Sequence, residues 1–193
     1  MIRLGILGST RGTNMLAILA AIDHANLPAN IAMVATNKQG AGILHHAVTH
    51  GLPHQYLDST GLSREEYDGR VSALFQQSAV DLIVLTGYMR ILSPVFVNEW
   101  ENRIINVHPS LLPAFAGLMD LNVHRAVLDS GAAETGCSVH YVTEEVDAGT
   151  IILQKRCSVL PNDTAETLKA RVQQLEGPAL VEAIHQLISS LRA

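Results

Sequence analysis

At 193 residues the chain can bury a sizeable core and suits one domain. With 48% hydrophobic and 16% charged residues it is globular in composition, far from the disordered class. A formal net charge of -5 excludes the broad basic field of a nonspecific nucleic-acid binder, so a bound phosphate must be held locally.

Residues 2–7 are a short apolar run stopped by Gly8-Ser9, a first strand followed by a helical pattern over 14–24. A second strand reads over 31–35, a helix over 41–50 and a short strand over 54–57. Residues 63–77 are helical, with Ser63 and Glu66 at capping-box spacing. Residues 80–85 form an apolar, β-branched strand of the kind buried on both faces. Residues 104–107 make another strand, which runs into a Pro-rich loop over 108–117. A helix over 121–130 follows. Strands over 138–142 and 151–159, joined by a turn at 147–150, suit antiparallel pairing. Asp163 or Thr164 caps a last helix reaching about residue 191. Alternating strands and helices with short links predict an α/β fold: a doubly wound, mostly parallel sheet (Rossmann-like) with an antiparallel C-terminal extension.

The start MIRLGILGST is interrupted by glycine too early for a signal peptide, and no uncharged apolar run approaches the ~20 residues that span a bilayer. A cytoplasmic protein with no membrane or nucleic-acid partner is expected. Cys137 and Cys157 lack ligand spacing, and two ordinary thiols are favoured over one disulfide. No metal site is expected.

Ligands on such sheets sit beyond the carboxyl ends of the strands, which points to residues 8–14, 86–92 and 106–117. The first is a glycine turn opening a helix. It reads either as a phosphate cradle built from backbone N–H groups or as a tight turn capped by Thr13 or Asn14. In the third, Asn106 and His108 alternate with Val107 and so share one face, where an amide and an imidazole form a pair of oxyanion donors. The alternative is a hydrogen-bonded core histidine beside a turn-forming asparagine. His24, His45, His46, His50, His54 and His185 suit solvated surface, His124 belongs to a helix near its start, and His140 reads as a buried, satisfied strand residue. Asp147, before Gly149, reads by itself as a turn aspartate.

The run Asn106-Val107-His108-Pro109-Ser110-Leu111-Leu112-Pro113 resembles the signature of the folate-dependent formyltransferases, in particular the phosphoribosylglycinamide formyltransferase family, and the likeness extends over nearly the whole chain. It implies Asn106, His108 and Asp147 as catalytic residues. It implies Arg64, the strand-end segment Met89, Arg90, Ile91 and Leu92, Asn106 again, and the loop Thr143, Glu144, Glu145, Val146 and Asp147 as the folate contacts. Gly12, Thr13 and Asn14 look like the substrate-phosphate turn, and Gln173 and Glu176 like the positions that face the nucleotide. The resemblance gives one domain over 1–193, with 1–100 as the nucleotide-phosphate half and 101–193 as the catalytic and folate half.

The implied co-substrate is 10-formyltetrahydrofolate and the implied acceptor glycinamide ribonucleotide, on a monomer or homodimer. A protonated His108, held so by Asp147, and the Asn106 amide would stabilise the oxyanion formed by direct amine attack. The loop departs from the family between Ala114 and His124, where Ala116 precedes Gly117 and the link to His124 is longer. Formyltetrahydrofolate hydrolase, or a non-catalytic nucleotide-binding regulatory protein, are the rival readings. Length favours the nucleotide substrate, since the hydrolase family carries an added N-terminal domain.

Overall fold

The structure, a computed structural model, describes residues 1–190. The strand and helix alternation gives β1 (Ile2–Leu7), α1 (Thr13–Asp23), β2 (Ala29–Thr36), α2 (Gly42–Thr49), β3 (His54–Tyr56), α3 (Arg64–Gln77), β4 (Leu82–Leu85), α4 (Pro94–Glu99) and β5 (Ile104–His108). Then come α5 (Leu121–Asp129), β6 (Glu134–Tyr141), β7 (Ile151–Ser158) and α6 (Ala165–Ser190). The expected end of the last helix, near residue 191, lies outside the described residues. The strands form one sheet in the order β3-β2-β1-β4-β5-β6-β7, parallel through β5 and antiparallel at β6 and β7.

β4 is apolar at every position because both of its faces are covered. On one side α1, α2 and α6 supply Met15, Ile18, Ile43, Ala47, Val172 and Ile184. On the other, α3 and α4 supply Tyr67, Val71, Phe75 and Phe96, with Trp100 just beyond α4. Fully burying a side chain of this size is worth roughly 1.5–3 kcal/mol, so each helix is fixed to the sheet by its own apolar stripe. β2 and β4 flank β1 on opposite sides. The winding therefore reverses at β1, and a crevice opens at the carboxyl ends of β1 and β4.

Local chemistry explains the element ends. The capping box of α3 is present, with the Ser63 hydroxyl accepting from Glu66 N–H at 3.1 Å and the Glu66 carboxylate accepting from Ser63 N–H at 2.8 Å. Thr164 rather than Asp163 caps α6, accepting from Thr167 N–H at 3.3 Å, while Asp163 pairs with Arg171. β4 starts later than expected, since Val80 N–H is taken by the Phe75 carbonyl as α3 ends. β6 starts earlier, at Glu134, because it pairs with β7 along its length. α4 was not expected. It is too short to show a period, but Ser93 caps it and Pro94 opens it. Both cysteines are free thiols, Cys137 being buried.

Candidate functional site

A cleft of ≈560 Å³ opens at the carboxyl ends of β1, β4 and β5. Of the residues expected there, Gly12, Thr13, Asn14, Met89, Arg90, Ile91, Leu92, Asn106, His108, Thr143, Glu144, Val146, Asp147, Gln173 and Glu176 line it. Arg64 and Glu145 do not. Arg64 is exposed at the start of α3, and Glu145 borders a small surface cavity with Asn98 and Glu101. A charge at a helix start and a turn residue beside Asp147 gave no means of telling, from sequence, which way each faces.

The antiparallel register of β5 and β6 sets Asn106 opposite His140 and His108 opposite Ser138. His140 Nδ1–H donates to the Tyr141 carbonyl at 2.8 Å, which leaves Nε2 as the acceptor for Asn106 Nδ2 at 3.3 Å. One amide N–H of Asn106 is thus engaged and the other is free. His108 Nδ1 lies 3.2 Å from Asp147 Oδ2, and His108 Nε2 lies 3.2 Å from the Phe115 carbonyl. Asp147 Oδ1 is 3.6 Å from His140 Nε2, and Oδ2 accepts from Gly117 N–H at 2.9 Å. Asp147 has φ +55, a conformation that costs backbone energy and persists where surrounding contacts hold it. Gly149 contributes to that hold, since a Cβ there would lie 1.8 Å from the Tyr141 carbonyl oxygen.

Burial holds His108 below the usual histidine range, outweighing the Asp147 carboxylate and the Phe115 carbonyl, which both raise it. The Asp147 carboxylate favours the charged ring, as expected of it, and burial opposes it. Burial lowers His140 too, against the Tyr141 carbonyl and Asp147.

At the other end of the cleft Gly12 stands at the N-cap of α1 with φ +78, and no side chain caps the helix. Its first N–H groups, at cleft-lining Thr13 and Asn14, are therefore placed to meet an anion. Gly12 also has a reason within the fold. An added Cβ would meet Ile43 at 2.7 Å, so packing against α2 and the positive φ require glycine, whether or not a ligand approaches. Asn14 Nδ2 donates to Glu176 Oε2 at 2.8 Å and ties the start of α1 to α6.

Cleft residues that sequence reasoning did not assign to the site include His140, His124, Lys169 and Lys38. His124 is buried with Nδ1 unpartnered, and burial pushes its pKa down to about 4. Lys169 forms an ion pair with Asp120, joining the unusual 114–124 loop to α6. For His140 a signal existed in the alternation of β6, but it needed the pairing register to be read. Among the described residues no group of three or more His, Cys, Asp or Glu is placed to hold a metal ion, and no helix is long and apolar enough to cross a membrane.

An amide, an imidazole and a carboxylate gathered at the strand ends of a doubly wound sheet are the equipment of acyl-group transfer. The pattern of the family described as Formyl transferase matches residues 2–184, and the chain belongs to that family. It is 42% identical over 190 residues to the trifunctional purine biosynthetic protein adenosine-3 of Gallus gallus, a match that covers 98% of this chain but 18% of that protein. It is 39% identical over 186 residues to the phosphoribosylglycinamide formyltransferase of Escherichia coli, covering 96% of this chain and 84% of the relative. Glycinamide ribonucleotide transformylase 1 from Symbiobacterium toebii superposes with a TM-score of 0.91 at 39% identity, over 96% of this chain and 86% of that one.

Proposed function

We propose that the chain transfers the formyl group of 10-formyltetrahydrofolate to the amine of glycinamide ribonucleotide, a cytoplasmic step of purine biosynthesis. The observation that carries this reading is the His108–Asp147 contact of 3.2 Å beside Asn106 in a cleft that also holds a helix N-terminus.

The cleft suits a flat reduced folate. Exposed Met89, Ile91 and Val146 offer apolar surface at its rim, with Arg90 beside them for an anionic tail. When bound, the folate supplies a formyl carbon attached to N10. Arg90, Ile91 and Leu92 would hold it from the β4 side, and Thr143, Glu144 and Val146 from the loop after β6. Thr13 and Asn14 would take the acceptor's phosphate on backbone N–H groups, with Gln173 and Glu176 on the sugar.

As the amine attacks, negative charge gathers on the formyl oxygen. Asn106 donates its free N–H to that oxygen, because His140 engages the other and fixes the amide's orientation. Neutral His108 takes the proton that the amine must lose. The imidazolium so formed is stabilised by Asp147 and delivers a proton to the departing nitrogen.

A formyl-transfer assay with and without glycinamide ribonucleotide tests this. Formylated product dependent on the acceptor is expected. Formate release at the same rate without acceptor would make the protein a hydrolase. Binding of both substrates without turnover would make it a non-catalytic nucleotide-binding protein.

A further inference from the structure

The loop that leaves β5 after His108 has no regular structure of its own, yet Ser110 and Leu112 within it are buried. Backbone groups in so dry a place need hydrogen-bond partners, and here side chains from two other strands supply them.

Ser138, on β6, donates its hydroxyl to the Ser110 carbonyl at 2.7 Å and accepts from Leu112 N–H at 2.9 Å. Gln154, on β7, donates through Nε2 to the Leu112 carbonyl at 3.0 Å and to the Ser138 hydroxyl at 2.8 Å. The Leu112 carbonyl can only accept, which fixes the nitrogen of the Gln154 amide toward the loop. The Ser138 hydroxyl in turn uses its one donor and both acceptor sites.

The sheet register explains how an edge strand reaches this loop. His108 stands opposite Ser138, and Ser138 opposite Gln154, so the three form one cross-strand row. The loop folds back onto that row at Ser110 and Leu112. Further along, the Ser110 hydroxyl donates to the Ala114 carbonyl at 2.6 Å. The next residue is Phe115, whose carbonyl lies 3.2 Å from His108 Nε2. Gln154 itself is not among the residues that line the cleft.

We propose that Gln154 is a positioning residue for His108: through Leu112 and Ser138 it fixes the loop that sets the Phe115 carbonyl on His108 Nε2. It touches neither substrate nor the ring. Its effect on turnover rests on the functional reading above.

The test is Gln154→Met, which keeps the length of the side chain and removes both donors. kcat should fall about tenfold, because small misplacements of a reacting group are costly. KM for 10-formyltetrahydrofolate and for glycinamide ribonucleotide should stay within about twofold of wild type. The His108 ring titration, followed by NMR without substrates, should move down, since the Phe115 carbonyl raises it and burial remains. Asp147, His140 and His124, the ionisable groups that face the ring, are left in place by the substitution. Where Gln154→Met is too unstable to assay, Gln154→Glu is read in its place: it has the same shape, and when ionised it cannot donate either. Adding Ser138→Ala should give losses that are less than additive, because both side chains act on Leu112.

A lowered Tm with unchanged kcat and an unchanged His108 titration overturns the inference, since Gln154 then only holds the fold, and leaves the functional reading standing. So does a rise in either KM at unchanged kcat. A wild-type protein that binds both substrates without turnover overturns the functional reading instead, and the His108 titration still decides the inference.

Discussion

At one end of the cleft Asn106, His108, His140 and Asp147 hold one another through side-chain contacts of 3.2 to 3.6 Å. At the other end Gly12, Thr13 and Asn14 present the uncapped start of α1. The first end depends on which ionisable groups are dried out together. The second depends on a backbone shape, with the exposed side chains of Arg11 and Lys38 also lining the cleft. Side-chain chemistry at a buried end is sensitive to charge and protonation. A helix start is sensitive to conformation, and solvent blunts a neighbouring charge.

The largest effects should come from breaking the histidine end. His108→Ala, which removes the proton carrier, and Asn106→Ala, which removes an oxyanion donor, should each lower turnover ~10²–10³-fold while the fold is kept. Asp147→Asn should remove most activity yet leave folate binding. It should also move the His108 titration further down, since a raising influence is lost and burial remains. Ring titration by NMR reads this directly. An upward shift or none would mean that the carboxylate does not act on the ring.

Next in size is a pH dependence that sets the same end apart. Unfolded histidine titrates near 6.5, and His124 in the fold near 4, so the unfolded chain binds more protons between those values. Its contribution, about 3 kcal/mol, is complete above pH ~6.5 and is lost as pH falls toward 4. His108 and His140, also lowered by burial, act in the same direction. Asp68 and Glu176, raised by burial, act in the opposite one. Urea denaturation of wild type and His124→Gln at pH 7 and 5 isolates the histidine. The gap between the two proteins should change in favour of the variant as pH drops.

The smallest effects belong to the glycine end and separate backbone from charge. Gly12→Val should lower stability by about 1–3 kcal/mol, since valine must adopt φ +78 and displace Ile43. A clear drop in Tm is expected. Arg11→Ala should leave Tm unchanged and alter KM for the phosphorylated acceptor only a few-fold. Abolished acceptor binding in Arg11→Ala would mean that a side-chain cation holds the phosphate.

From the sequence alone the alternation through β5 could be read, because a strand covered on both faces must be written as an apolar run, as in Leu82-Ile83-Val84-Leu85. The α3 capping box could be read from two residues, since its hydrogen bonds are local. So could the shared face of Asn106 and His108, which follows from the period of a strand. The tertiary structure alone decided what is long-range. The β5–β6 register brought His140, 34 positions away, onto the Asn106 amide. The folded loop set the Phe115 carbonyl on His108, and burial draws that ring's pKa down against the pull of Asp147. β7 placed Gln154 against a loop that no spacing rule connects to it. Periodicity records which face of an element is dry. Register, desolvation and contact between distant segments exist only once the elements have packed.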